Sequence, residues 1–331
     1  MQSTVETIQR ESVDALRDVL PAGEDVALLD HPSHFNAGDL LIYQGELGYL
    51  EQLGKRTSYV CTTFSYDRDV LAKRLPTGAL LLHGGGNFGD RYPKFQHLRE
   101  RAIADHPDRK IIQLPQTIEF RDGEALEHTQ RIYSAHPDLT LMIRDKAGLE
   151  QARDLFPDNN VVSCPDMAFG VGEIRPVGAA DNEIVLLKRQ DQESLHSDNN
   201  LPDNLRNAYR ADWHITGADN AKWWPVTILN QLVHHVPSVR HSVYPLARKA
   251  FDWQADIIVR NAVRIMSHGE VVVTDRLHAA VYAILMGKNV VMVDNANKKI
   301  SNIYRDYLSR SPMTHLARDF DEAGALAQTL L

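Results

Sequence analysis

Arg276, Leu277 and His278 stand between the apolar run Val271-Val272-Val273 and an alanine-rich run, and Lys188 and Arg189 close a second apolar run, Ile184-Val185-Leu186-Leu187. An arginine where a buried strand meets a buried helix is hard to solvate unless it meets an anion. Its planar fork fits phosphate or carboxylate, and the free N–H groups that open the next helix add to such a site. His278 alone would read as a structural histidine, but beside Arg276 it suits anion binding or proton donation.

A second group has different chemistry. Asn36-Ala37-Gly38-Asp39 leads into a helical pattern, and His83-Gly84-Gly85-Gly86-Asn87-Phe88-Gly89-Asp90 follows a strand-like run. Glycines let a backbone approach a ligand, and Asn and Asp add hydrogen-bonding side chains. A phosphate would be repelled by Asp39 and Asp90, whereas a polyol would not, and either carboxylate could accept a hydroxyl proton. The plainer alternative is a pair of tight turns with Asp39 as a helix cap. Gln116 and Asp166 add polar strand ends, with Asp166 equally suited to capping. Neither glycine loop matches a Walker A sequence or GxGxxG, so no standard nucleotide fingerprint is present. His31 and His34 are candidates for substrate contact, and His234-His235 lie on a helical pattern. No HExxH or matching carboxylate spacing accompanies any of them, so no metal is expected.

The elements that must position these residues alternate short apolar runs with helical periodicity, as in βαβ units around parallel sheets. Strands are expected at 26–30, 59–62, 79–83, 110–114, 140–143, 161–163, 184–188, near 213–215, 271–274 and 290–294. Helices are expected at 40–53, 95–105, 146–155, 225–236, 253–267, 277–286 and 301–308, with loops at 31–39 and 84–90 and an irregular polar stretch at 190–207. The fold class is α/β: two doubly wound Rossmann-like domains facing a cleft. The expected division is an N-terminal domain over 1–172, a linker over 173–182 and a C-terminal domain over 183–331, its last helix placed to pack back on the first domain. Ligands of open α/β sheets bind at the carboxyl ends of the strands, where every unusual polar cluster here falls.

With 331 residues, 43% hydrophobic and 24% charged, there is material for two cores of roughly 150 residues each. A formal charge of −8 argues against nucleic acid as a partner. No apolar run reaches the roughly 18 residues of a membrane span, and residues 1–16 read as an acidic amphipathic helix rather than a signal peptide. The expected compartment is the cytoplasm. Cys61 and Cys164 form no CxxC pattern and read as small core residues.

Taken together, 36–39 (NAGD), 83–93 (HGGGNFGDRYP), 114–118 (LPQTI), 164–169 (CPDMAF), 187–193 (LKRQDQE) and 274–280 (TDRLHAA) resemble the polysaccharide pyruvyl transferase family, in the family's order, and its bacterial exopolysaccharide branch in particular. The resemblance implies a GT-B-like fold, phosphoenolpyruvate as donor substrate with no cofactor, and a pyruvate ketal on a saccharide as product. It places Lys188, Arg189, Arg276, Leu277 and His278 on the donor, and Asn36, Gly38, His83, Gly85, Gly86, Asn87, Gln116 and Asp166 in cleft loops or on the acceptor. His278, Asp39 and Asp90 are the implied catalytic residues, with Lys188 the rival to His278 as proton donor. The acceptor, free or lipid-linked, invites peripheral membrane contact, for which the helix at 5–20 and Lys298-Lys299 are candidates. A homo-oligomer is open. Residues 190–224 depart from the family pattern; Trp213, Trp223 and Trp224 there suit sugar stacking or core packing equally. The rival functions are a nucleotide-sugar glycosyltransferase and a non-catalytic saccharide- or anion-binding protein.

Overall fold

Strands covered on both faces by helices read as unbroken Val/Ile/Leu runs, and Val26–Leu29 (β1) and Ala79–Leu82 (β3) are buried at every position. The computed structural model of the chain describes residues 3–189, 201–213, 221–229, 236, 240–294 and 299–331. In it, β1 and β3 join Thr57–Cys61 (β2), Ile111–Glu119 (β5), Leu139–Ile143 (β6) and Asn160–Ser163 (β7) in the order β2-β1-β3-β5-β6-β7, with Gly85–Gly89 (β4) added beside β5. A second sheet runs β12-β11-β10-β8-β9. Its strands are Asn182–Leu187 (β8), Tyr209–Ala211 (β9), Gly269–Thr274 (β10), Asn289–Val293 (β11) and Thr314–Ala317 (β12). All pairings among the described residues are parallel, so each sheet presents one row of carboxyl ends.

Among the described residues the α-helices in chain order are Thr4–Val19 (α1), Ala37–Gln52 (α2), Arg68–Arg74 (α3), Pro93–Asp105 (α4), Gly123–Ser134 (α5), Lys146–Leu155 (α6), Asp203–Arg206 (α7), 221–229 (α8), Arg240–Ser267 (α9), Leu277–Leu285 (α10), Lys299–Asp306 (α11) and Phe320–Thr329 (α12). One continuous core includes Leu41 and Tyr43 of α2, Ala168, Phe251 and Ile258 of α9, and Ala280 and Tyr282 of α10. At 28 residues, α9 is about 42 Å long. Near its start the Tyr244 hydroxyl accepts from the Val60 N–H at 2.7 Å, and its far end leads into β10. It therefore ties the first sheet to the second.

Several expectations change. The glycine segment is not a loop: 85–89 is extended and paired with β5. The last helix, α12, does not turn back to the first sheet; Phe320, Ala323 and Ala327 pack with Leu186, Val271 and Val291 of the second. The helix offered for membrane contact spends its apolar face internally, with Ile8, Val13, Leu16 and Val19 buried. Glu11 of that helix meets Arg310 at 3.0 Å. Among the described residues no helix is long and apolar enough to cross a membrane. The ninth strand ends at Ala211, before Trp213; residues 190–200, 214–220 and 230–235, His234-His235 among them, lie outside the described residues. Cys61 and Cys164 are buried and not disulfide-bonded, and burial pushes the Cys61 thiol up to about 12.

Candidate active site

The two rows of strand ends meet around a cavity of about 370 Å³. The first sheet's side of it is lined by His34 and Asn36 from the β1–α2 connection, Asp39 in the first turn of α2, Gly86 and Asn87 from β4, Tyr92, Lys94 and Phe95, and Arg144 just after β6. The second contributes Arg189 after β8, Trp213 after β9, Arg276, Leu277 and His278 after β10, and Lys299 at the start of α11.

The first turns of α2 and α10 abut here. Asn36 caps α2, its Oδ1 accepting from the Gly38 N–H at 3.1 Å while its Nδ2 donates to Asp39 Oδ2 at 2.9 Å. Against this turn lies the His278 ring: a Cβ at Gly38 would sit 2.5 Å from His278 Nδ1. Only glycine permits that approach. Tyr282 Oη donates to the Ala37 carbonyl at 3.2 Å, fixing the two helices together one turn deeper. His34 Nε2 stands 3.5 Å from Asp39; burial lowers the His34 pKa although Asp39 opposes it.

Behind His278 is a buried ion pair. Arg144 Nη1 donates to Asp166 Oδ2 at 2.6 Å, with both side chains 2% exposed, and Arg144 Nε donates to Thr117 Oγ1 at 2.8 Å. His278 Nε2 lies 3.4 Å from the same Asp166 oxygen, and Asp166 Oδ1 accepts from the Ala168 N–H at 2.9 Å. Burial alone would raise the Asp166 pKa; His278, Arg144 and these hydrogen bonds outweigh it and hold the carboxyl well below its usual range. Asp166 therefore does both things its sequence context allowed, capping the turn Met167–Val171 and anchoring the site.

Cations dominate the walls. Arg276 Nη2 meets Asp212 at 2.9 Å, Lys299 Nζ meets Glu119 at 3.7 Å, and the Arg189 N–H donates to Asp275 Oδ1 at 2.7 Å. A Cβ at Gly86 would come within 3.0 Å of Arg144 Nη2 and 3.7 Å of Lys299 Nζ, so that glycine keeps two cations close. Lys94, Arg144 and Lys299 are cavity residues that the sequence motifs do not single out; of the Lys298-Lys299 pair offered for membrane contact, Lys299 lines the cavity and Lys298 lies outside the described residues. Arg144 carries the signal that found Arg276, a cation directly after an apolar strand, here Leu139-Thr140-Leu141-Met142-Ile143.

Other expected residues lie elsewhere. Lys188 places its Nζ 5.9 Å from the Phe320 ring centre and does not line the cavity, so it is no rival proton donor there. Asp90 points away as well: its Oδ2 accepts the Arg121 N–H at 2.7 Å and the Asp122 N–H. Gln116, fully buried, is scaffolding, donating to the His83 carbonyl at 2.8 Å and Asn87 Oδ1 at 3.0 Å. His83 is buried on Glu46 at 2.8 Å; burial disfavours its charge, but Glu46 prevails and the pKa is raised. Gly85, at φ +123°, sets the bend beneath Asp39. His31 is a core residue, stacked on Phe251 at 4.8 Å, with its pKa lowered well below the ordinary value by burial. Of the tryptophans offered for sugar stacking, Trp213 lines the cavity, Trp223 packs on Phe35 at 4.5 Å, and Trp224 is exposed.

A family model described as polysaccharide pyruvyl transferase matches residues 36–297. The chain is 30% identical over 312 residues to "Putative pyruvyl transferase EpsO" of Bacillus subtilis (strain 168), covering 93% of this chain and 92% of that one. It is 30% identical over 297 residues to "Pyruvyl transferase 1" of Schizosaccharomyces pombe (strain 972 / ATCC 24843), covering 86% and 69%. A crystal structure of an uncharacterized Klebsiella pneumoniae protein superposes with a TM-score of 0.56 at 18% identity, covering 94% of this chain and 99% of the other, which speaks to fold alone. The chain belongs to the polysaccharide pyruvyl transferase family, a family of transferases.

Proposed function

We propose that this protein transfers the pyruvyl group of phosphoenolpyruvate to a diol of a saccharide, forming a cyclic ketal and releasing phosphate, in the assembly of an exopolysaccharide or other cell-surface glycan. One observation carries the reading: Lys94, Arg144, Arg189, Arg276 and Lys299 line a cavity of about 370 Å³ whose facing wall is Asn36 and Asp39. A small donor bearing both phosphate and carboxylate needs several cations and no base pocket. A hydroxyl-bearing acceptor needs neutral donors and a carboxylate. The relatives named pyruvyl transferase support the same reading.

His278 protonates the donor's methylene carbon, its ring held between Gly38 and an ionised Asp166. An oxocarbenium-like centre forms at the adjacent carbon, where a sugar hydroxyl adds. Phosphate then departs into the field of Arg189, Arg276 and Lys299, and the second hydroxyl closes the ring. His278 gives its own proton to the new methyl group; Asp39 takes the proton of the attacking hydroxyl, which returns to His278 for the next turnover, and the proton of the second hydroxyl leaves on phosphate. Two neighbouring or 4,6-related hydroxyls satisfy this geometry.

The architecture that goes with the reaction is GT-B-like, an N-terminal acceptor domain over 1–172 and a donor domain over 183–331 joined by 173–182. The test is phosphate release from phosphoenolpyruvate with methyl hexopyranosides that carry a free 4,6-diol. Turnover that requires both supports the proposal; stabilisation by nucleotide sugars alone would give the site to a glycosyltransferase.

A further inference from the structure

Beside the reaction cavity lies a depression of about 940 Å³ between the segment 90–93, α4 and α5. We infer that it is a subsite for the saccharide chain next to the unit receiving pyruvate, so that the natural acceptor is an oligosaccharide rather than a single sugar. The inference rests on the pyruvyl-transfer reading for its turnover readout and on binding alone for the rest.

The two spaces share one residue, Tyr92, which lines both and is 40% exposed. Its ring carries the Arg91 guanidinium at 5.7 Å from the centre, and a half-open aromatic with such a polar rim is amphipathic enough to hold a pyranose. The wall between them is completed by Glu119 at the end of β5. Its carboxylate meets Lys299 on the cavity side at 3.7 Å, and Arg91 at 3.5 Å and Arg121 on the depression side. A chain leaving the cavity over Tyr92 enters the depression directly.

The chemistry of the two spaces differs as the two ends of such a substrate do. The cavity is cationic. The depression sets Asp90, Glu100, Asp122 and Glu124 against Arg91 and Arg121, and both of those arginines are held by Glu119. Its formal balance is negative, which disfavours phosphoenolpyruvate and the phosphates of a lipid carrier; Glu100 accepts from Thr129 and Gln96 and Asp122 caps α5, so Glu124, His97 and His128 are the polar groups offered to hydroxyls. Asp90, misplaced for catalysis, acquires a use here: by accepting the Arg121 and Asp122 backbone N–H groups it fixes one rim before ligand arrives.

Ala125, half-buried in α5, lines the depression and has no part in the reaction cavity. The experiment compares wild type with Ala125→Trp, which fills the depression, and with the surface pair Glu124→Gln/His128→Ala, which removes polar contacts with little risk to folding. Binding to the methyl glycosides of glucose and galactose and to the matching di-, tri- and tetrasaccharides is measured by calorimetry, and phosphate release by steady-state kinetics. In wild type, affinity is expected to rise from the methyl glycoside to the trisaccharide. Both variants are expected to lose on the order of tenfold in kcat/KM for the longer acceptors while keeping wild-type kinetics on the methyl glycosides. Equal affinity for long and short acceptors in wild type, or variants that treat both alike, would overturn the subsite. Length-dependent binding without phosphate release would instead sink the pyruvyl-transfer reading and leave the subsite standing.

Discussion

His278 is held from two sides, by the backbone of Gly38 in the first half of the chain and by Asp166 behind it. Gly38→Ala puts a methyl group 2.5 Å from Nδ1 and must displace the ring. A misplacement near 1 Å costs on the order of 10²-fold, so kcat should fall about that far while phosphoenolpyruvate affinity changes little. His278→Gln should lose roughly 10²–10⁴-fold with the same split. A kcat within twofold of wild type in both variants would remove His278 from proton transfer. Asp30 makes a second prediction. Buried at the end of β1 at φ 75°, its carboxyl is pushed up to about 7 by burial, against the pull of Arg99 and His83. Between pH 4 and 7 the folded chain keeps a proton that the unfolded chain has released. Stability from this group is therefore full below about 4 and lost as pH rises through about 7, by roughly 4 kcal/mol in all. Asn tolerates a left-handed backbone, so Asp30→Asn should flatten that slope in pH-dependent denaturant melts. Residue types at strand ends made Arg276, His278, Asn36 and Asp39 legible. Direction was not: Lys188 and Arg189 lie just past the end of β8, and only the folded chain shows Arg189 on the cavity and Lys188 toward the Phe320 ring.

At the scale of elements, unbroken apolar runs gave away most strands of both sheets, whereas β4 was hidden because Gly-rich sequence is depleted in strands. What makes it a strand is contact. At Gly89, φ is +138° and a Cβ would fall 1.8 Å from the Glu119 carbonyl oxygen, so the β4–β5 pairing needs a residue with no side chain. Gly89→Ala should cost more than about 1 kcal/mol, lower the melting temperature by several degrees, and weaken turnover by loosening Gly86 and Asn87; an unchanged melt would show that β4 pairs by other means. The full length of α9 was also illegible from 253–267 alone. Its first half is amphipathic toward a core that only the fold assembles, where Tyr244 stacks on Tyr59 at 5.4 Å.

Taken whole, a chain of formal charge −8 concentrates five cationic side chains in one cavity. The net charge argued only against nucleic acid and could not show where cations collect, because Arg144, Arg189, Arg276 and Lys299 follow strands of two different sheets. Such a site should weaken with salt. Phosphoenolpyruvate affinity is expected to fall as ionic strength rises from about 0.01 to 0.15 M, where the screening length drops from about 30 to 8 Å, while saccharide affinity stays flat. Parallel losses for both ligands would place the cations outside the donor site. The central claim is tested most directly by incubating the protein with phosphoenolpyruvate and a 4,6-diol glycoside, counting phosphate and weighing the sugar by mass spectrometry. One phosphate is expected for each sugar that gains a pyruvate ketal, with both products lost in His278→Gln. Phosphate without ketal, or sugar transfer from a nucleotide donor instead, would contradict it.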